Sequence, residues 1–478
     1  MKTKIEERTS PQIELPVIDE SFVDESFERV TGAELIHGND LTLLIDAEQN
    51  YPEWLSAINS ATDYILFESY IIHGDEQGEL FANALIEKAQ AGVAVKLIYD
   101  WMGGFGKSKR SFWTRLRQGG VEVRCYNPPK FSDPLGFFSR DHRKTLIVDG
   151  KVAFVSGLCV GQDWVGHPDQ GIPPWRDTGV KLIGPAVPEV LAAFADVWAT
   201  LGDPLQEKIS RPGTAPKADG TVSLRVIKSI PGTAYVYRID QLLAVAARET
   251  MWITDAYFVG VPSYLQTLKD SSLDGVDVRI LVPQSTDIGL IRDTTRSTYR
   301  PLLEAGVRVF EWNGPMMHAK TAVFDGRFSR VGSTNLNIAS WFGNYELDVL
   351  VEDEEFGRKM QEMFLNDIAN STEIVLSEEA AGRRPVKKSR FRRKGGGSVR
   401  KATAGALNAA TSIGSAIAKK SQLGPAEARM LFIVGTSLLI LALLLIFFPR
   451  IASIPLILLL LLLAIPTLGK AIQSYRNH

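Results

Sequence analysis

The sequence predicts an α/β fold in which two repeated β/α lobes form one cleft, followed by a C-terminal two-helix transmembrane hairpin. Three observations carry this prediction. The frame H-x-K-T-x3-D-G occurs twice, at residues 142–150 and 318–326, 176 positions apart. The alternation of strand and helix patterns stops near residue 204 and restarts at 222. Two uncharged apolar runs, 430–448 and 451–469, close the chain.

Composition narrows the classes. A chain of 478 residues, 45% hydrophobic and 23% charged, has the balance of a globular protein with two or three domains. Its charge is divided: from Arg383 onward 16 Lys and Arg face a single acid, Glu427, so a tail of +15 follows a body of −17. That split directs the tail, not the body, to a polyanionic surface. Cys125 and Cys159 are the only cysteines, and no Cys/His spacing suits a metal. A reducing compartment, no metal and no cofactor are therefore expected. Residues 1–36 are acidic and polar without an apolar core, so they read as a poorly ordered leader rather than a signal peptide, and the body is expected to stay cytoplasmic.

The first lobe is placed at 37–212. Residues 41–45 and 64–72 read as strands, 78–91 as an amphipathic helix, 93–99 as a strand, 113–118 as helical, and 121–126 as a strand leading to the first motif. Pro, Gly, Lys and Thr between 204 and 220 mark a linker. The second lobe, 220–376, repeats the order: strand 222–228, helix 235–247, strand 251–258. Residues 275–283 echo 92–100, a helix-ending Gly followed by a buried strand.

A basic linker at 377–425 and the hairpin at 426–478 complete the chain. Each apolar run has 19 residues, close to the ~20 that cross a bilayer core. Lys419, Lys420, Arg429, Lys470 and Arg476 flank the hairpin, and the positive-inside bias puts both ends in the cytoplasm with Arg450 outside. The ten basic residues of 383–401 suit anionic lipid headgroups. A nucleic-acid-binding tail is the alternative, disfavoured by the hairpin that follows.

Within each motif, His and Lys two apart on a strand share one face: His142 with Lys144, His318 with Lys320. Two imidazoles supply a nucleophile and a proton donor for displacement at phosphorus, and two lysines neutralise phosphate charge. Lobes that meet at these motifs would form one cleft. Asp149 and Asp325 close the motifs and are expected to be structural. His37, His73 and His167 lack matched partners and read as surface or loop residues. Residues 103–108 resemble a phosphate-binding loop only in part, since Trp101 stands where its opening Gly is required. The apolar stretch 131–138 reads as a membrane-dipping lip or a packed loop.

The second motif continues Gly332-Ser333-Thr334-Asn335, then Asn344-Tyr345-Glu346. Here the sequence resembles the phospholipase D superfamily, whose signature H-x-K-x4-D-x6-G-S-x-N occurs twice, and within it the bacterial cardiolipin synthases, over residues 41–367. The resemblance implies two phospholipase D-like lobes and a phosphatidyltransferase of the bacterial inner membrane with its lobes on the cytoplasmic side. The expected reaction condenses two phosphatidylglycerols to cardiolipin and glycerol through a phosphatidyl-histidine. It assigns His142 as nucleophile and His318 as acid and base. Lys144, Lys320, Ser333 and Asn335 would bind phosphate, and Asp177 and Glu346 would hold the far imidazole nitrogens. Phospholipid and membrane are the expected partners, and nucleic acid is not. Phospholipase D hydrolysis, a phosphodiesterase or nuclease activity, and a non-enzymatic lipid-binding scaffold are the rival readings. The first copy departs from the pattern, reading Ser156-Gly157-Leu158-Cys159, with a thiol where Asn is expected.

Overall fold

A computed structural model of the protein describes residues 20–129, 139–210 and 220–376. The expected leader start, the apolar stretch 131–138, the basic linker and the hairpin lie outside the described residues. Among the described residues no helix is long and apolar enough to cross a membrane.

The first lobe contains strands β1 (Ile36–Ile45), β2 (Tyr64–Ser69), β3 (Ala94–Asp100), β4 (Glu122–Tyr126), β5 (Lys144–Val148), β6 (Val152–Ser156) and β7 (Thr178–Ile183). The second contains β8 (Val222–Ser229), β9 (Thr250–Thr254), β10 (Asp277–Pro283), β11 (Arg308–Trp312), β12 (Thr321–Phe324), β13 (Phe328–Gly332), β14 (Glu346–Glu352) and β15 (Ser371–Ile374). They form one mixed sheet of order β15-β11-β10-β9-β12-β13-β14-β8-β1-β7-β6-β5-β2-β3-β4. Read outward from the β1–β8 joint, the two halves have the same order, so the repeat seen in the motifs is a repeat of whole lobes. Parallel pairing is confined to β2-β3-β4 and β9-β10-β11, where helices supply the crossovers.

Burial explains the layering. One face of each half packs toward the other around helices Val187–Thr200 and Glu354–Ala369, in a shared core that includes Leu66, Ile147, Phe194, Trp198, Val323, Val349 and Phe364. The outer face of the first half is covered by helices Asp46–Ser60, Glu76–Gln90 and Arg110–Gln118, and that of the second by Tyr235–Ala246 and Pro262–Leu273. The inward-facing apolar residues on both sides of β2, β5, β9 and β12 are why these strands read as unbroken apolar runs.

Two expectations need correction. Residues 20–31 are not a loose leader: the helix Glu20–Thr31 seats Phe27 on Phe328, ring centroids 5.7 Å apart, under the Arg225 guanidinium. The strand expected over 251–258 ends at Thr254, because the Asp255 carboxylate turns the chain by accepting from the Tyr257 and Leu336 amides. His73 lies in a loop, as expected, and is buried there with its Nδ1 3.2 Å from Asp75.

The motif aspartates are hairpin turns. Asp149 and Asp325 have φ of 53° and 51°, and the following Gly150 and Gly326 both have 64°, the left-handed pair that opens the tight three-residue turns joining β5 to β6 and β12 to β13. Asp149 accepts from the amides of Thr62, Asp63 and Tyr64, and Asp325 from those of Arg248, Glu249 and Thr250. Partial burial pushes the Asp149 carboxyl up, but these donors outweigh it and hold the group below the usual carboxylate range. Each aspartate therefore ties its hairpin to the start of the neighbouring strand, at the end opposite the motif histidine. Asp149→Ala and Asp325→Ala should each lower unfolding stability by ~1–2 kcal/mol, since three amides lose their acceptor. Denaturant midpoints equal to that of the parent chain would contradict this role.

Candidate active site

Each motif histidine lies just before its strand and is fixed by backbone of the other lobe. The His142 amide donates to the Tyr345 carbonyl and the Tyr345 amide to the Arg140 carbonyl, 2.9 and 2.8 Å. In the mirror arrangement the Arg176 amide donates to the Met316 carbonyl and the His318 amide to the Arg176 carbonyl, 2.9 and 2.7 Å. Arg143, fully buried, adds side-chain donors to the carbonyls of Ala193, Ser229 and Glu346, so the residue between His142 and Lys144 is also a cross-lobe tie.

The carboxylates cross over as well. Glu346 of the second lobe holds His142 Nδ1 at 2.9 Å, and Asp177 of the first holds His318 Nδ1 at 2.6 Å. Nε2 of neither ring has a hydrogen-bond partner among the described residues, and it is the nitrogen left to face a substrate. Both carboxyls are buried, which alone would raise them. The His318 imidazole and the Lys320 charge reverse this for Asp177, holding it at about 2, and His142 and Lys144 hold Glu346 below its usual range. Both therefore stay anionic, able to orient an imidazole and to stabilise an imidazolium.

The ammonium groups of Lys144 and Lys320 each donate to the carbonyl of their own motif histidine. Burial lowers both imidazoles first; the Lys144 and Lys320 charges lower them further, and His318 is held to about 4. Each lysine acts on both rings, so the four groups share one electrostatic enclosure. Lys320 is itself brought down to about 8, by burial and then by repulsion from Lys144. A buried site that brings two ammonium groups together is poised for an anion. Tyr70 lies against His142, centroids 4.9 Å apart, and Tyr257, Trp164 and Trp175 against His318 at 5.9, 5.4 and 5.7 Å.

The two halves differ in detail. Ser333 donates to Glu346 at 2.6 Å, so its proton serves the carboxylate rather than a phosphate, a change from the expected role. Ser340 and Asn344 complete the set on Glu346, at 2.7 and 3.2 Å. Asn335 is buried beside them with its Oδ1 unpartnered. In the first half Asp177 takes its donors from Trp164 Nε1 and the Thr178 amide, 3.0 and 2.8 Å. A Cβ on Gly157 would fall 2.2 Å from Asp177 Oδ1, so the serine of the pattern cannot stand there. Cys159 is buried at the place equivalent to Asn335, and burial pushes its thiol up, away from thiolate chemistry. The glycine-rich stretch is no phosphate cradle: the amides of Met102 and Gly103 are taken by Asp100, and the Ser108 hydroxyl by the Ile72 carbonyl.

Sequence reasoning passed over a carboxyl pair beneath His142. Glu68 on β2 and Asp141, both buried, interact directly, and each keeps one oxygen, Glu68 Oε1 and Asp141 Oδ2, without a donor. One proton held between those two oxygens would give each a partner. Burial raises both groups; Arg143 counters it, while Glu68 and Asp100 push Asp141 further up. The signal was available, as an acid inside the apolar run Ile65-Leu66-Phe67-Glu68. Because the folded pair binds its proton more tightly than the unfolded chain, its contribution to stability is complete at acid pH and fades as pH rises above about 4 toward the raised values. Glu68→Gln, whose amide donates permanently, should flatten that alkaline decline in unfolding free energy, and superimposable pH–stability curves would rule the shared proton out.

With this geometry in hand the chain was compared with known proteins. A family model described as "Cardiolipin synthase, PLD-like domain" matches residues 54–160 and 241–368, one match in each lobe. The chain is 30% identical over 349 residues to a cardiolipin synthase of Staphylococcus aureus (strain N315), covering 72% of this chain and 70% of that protein. It is 31% identical over 347 residues to one of Alkalihalophilus pseudofirmus, covering 71% and 68%. Among solved structures, phosphatidylserine synthase of Haemophilus influenzae has the same fold, with a TM-score of 0.55 at 14% identity over 73% of this chain and 91% of that one. The twin motifs, the duplicated lobes and these matches agree: the chain belongs to the cardiolipin synthase family of phospholipase D-like proteins.

Proposed function

We propose that the protein is a membrane-associated phosphatidyltransferase that condenses two phosphatidylglycerols into cardiolipin and glycerol. The observation that carries this reading is the crossed pair, in which each imidazole is held by the opposite lobe's anionic carboxylate while two buried lysines share the space around both. The curated relatives named cardiolipin synthase give the substrate class.

Burial and the two lysine charges hold both imidazoles below their usual range, His318 to about 4, which favours the neutral ring. A phosphodiester anion between Lys144 and Lys320 offsets their charge, which lets the imidazole on Asp177 take a proton. Following the family resemblance, His142 Nε2 then attacks phosphorus and the bond to the glycerol oxygen breaks. His318 gives its proton to that oxygen, and glycerol departs. The headgroup hydroxyl of a second phosphatidylglycerol returns a proton to His318, its oxygen attacks phosphorus, and the P–N bond breaks to release cardiolipin. Lys144, Lys320 and Asn335 hold the phosphoryl oxygens in both steps, and Ser333 supports them through Glu346.

The membrane part of the proposal rests on the tail. Residues 377–425 would form a basic linker and 426–478 a two-helix hairpin, anchoring the lobes 37–212 and 220–376 to the cytoplasmic face of a bacterial inner membrane. An acidic body is unsuited to a nucleic-acid cleft, which disfavours the nuclease alternative.

The test is a product assay on labelled phosphatidylglycerol. The parent chain should form cardiolipin and glycerol, and His142→Ala and His318→Ala should each lose a factor of about 10³ or more. Asp177→Asn, which leaves the ring unoriented, should lose on the order of 10²–10⁴. Near-normal turnover by either histidine variant would refute the two-histidine mechanism, and phosphatidic acid as sole product would make the protein a hydrolase.

A further inference from the structure

Large exposed apolar side chains are not spread evenly over the described surface. Leu80, Val245, Leu273 and Leu365 sit singly on four different helices, the ordinary situation for a soluble surface. Ile172, Ile230 and Val375 lie on separate connecting segments, and the remaining five, Met102, Phe105, Ile288, Ile338 and Phe342, gather on short segments tied to the rings around the two histidines. Phe105, at 67% the most exposed phenylalanine of the described residues, and Met102 lie at the end of and within the short helix Trp101–Gly104, whose Gly103 abuts the Tyr70 carbonyl, and Tyr70 covers His142. Ile288 follows Asp287, which accepts from the Tyr257 hydroxyl at 2.9 Å, and Tyr257 covers His318. Ile338 follows Asn337, whose amide donates to the Tyr257 carbonyl at 3.0 Å, and the half-exposed Phe342 lies one turn further along.

These tips come from both lobes and from three separate short segments. Such an arrangement suits a soft, continuous medium better than a folded partner, which needs one contiguous surface of about 800 Å² on each side. Cations stand among them: Lys107, Lys109 and Arg110, all exposed, follow Phe105 and have no ion-pair partner among the described residues. Apolar tips flanked by free cations match an anionic bilayer surface, where rings and branched chains enter the headgroup boundary and ammonium groups meet phosphates.

We propose that Met102, Phe105, Ile288, Ile338 and Phe342 form a collar that seats the cleft directly on an anionic phospholipid bilayer. This rests on the phosphatidyltransferase reading only for its purpose; the seating itself is a separate property. Docked this way, a phospholipid headgroup reaches the two imidazoles while its acyl chains stay in the membrane. The collar also fixes the orientation of the lobes, which a tether alone would leave free.

The test places an environment-sensitive dye on the full chain through Phe105→Cys or Phe342→Cys, with Val245→Cys as the remote control and Cys125→Ser as background. On phosphatidylglycerol vesicles the two collar dyes should shift to the blue and become about fivefold less accessible to iodide, less so on phosphatidylcholine, with the control unchanged. Collar dyes that stay as accessible as the control on vesicle-bound protein would overturn the proposal. So would dyes already shielded without vesicles, which would mean that another part of the chain or a second copy covers the collar. A second variant reads function: Phe105→Asp with Phe342→Asp should lower turnover about tenfold on vesicles yet less than twofold on short-chain phosphatidylglycerol dispersed as monomers. Equal losses on both would count against the collar. Dyes that enter the bilayer while the parent chain turns over neither lipid would leave the collar standing and overturn the transferase reading.

Discussion

The constraint on which the rest of the structure depends is the exchange of carboxylates between lobes. His142 belongs to the first lobe and its Glu346 to the second; His318 belongs to the second and its Asp177 to the first. Neither lobe holds an oriented imidazole by itself. The paired backbone hydrogen bonds at Tyr345 and Arg176, the reach of Arg143 into three carbonyls, and the β1–β8 joint all serve to keep these contacts in register. A shift of one lobe by about 1 Å would lengthen both imidazole–carboxylate bonds beyond useful range.

Duplication supplied two equal halves, and the site departs from that equality where the chemistry needs two different imidazoles. On one side a glutamate is surrounded by Ser333, Ser340 and Asn344; on the other an aspartate, one methylene shorter, occupies the space that excludes a side chain at Gly157 and takes its third donor from Trp164. Beneath His142 lies the Glu68–Asp141 pair, where the second lobe has Thr254 and Met317. Beside Lys320 lies Asp255, pushed up to about 7 by burial, where the first lobe has Ser69. These differences set unequal fields on rings that occupy equivalent places, the condition for an acid and a nucleophile to work at one pH.

Much of this was legible in the sequence. The twin frames located His142, Lys144, His318 and Lys320, and the restart at 222 located the second lobe, because a strand buried on both faces leaves an apolar run that period and composition both register. What escaped were features whose cause lies outside their own segment. Nothing in the twin frames marks Arg143, whose guanidinium reaches three carbonyls distant in sequence. Ser333 reads as a phosphate donor until Glu346 is seen to take its proton. Glu68 left a trace, an acid in an apolar run, but its meaning required Asp141, 73 positions away. The helix Glu20–Thr31 also left one, since Val23, Phe27 and Val30 have helical spacing inside a segment whose overall polarity hid it.

The central claim is that one imidazole becomes covalently phosphatidylated while the other moves protons. Peptide mass spectrometry after alkaline quenching of the protein turning over phosphatidylglycerol tests it most directly, since a phosphoramidate survives base and not acid. The account predicts a phosphatidyl adduct on the peptide carrying His142 in the parent chain during turnover, absent from the His142→Ala variant. An adduct on the His318 peptide, or continued turnover with no adduct on either, would contradict it.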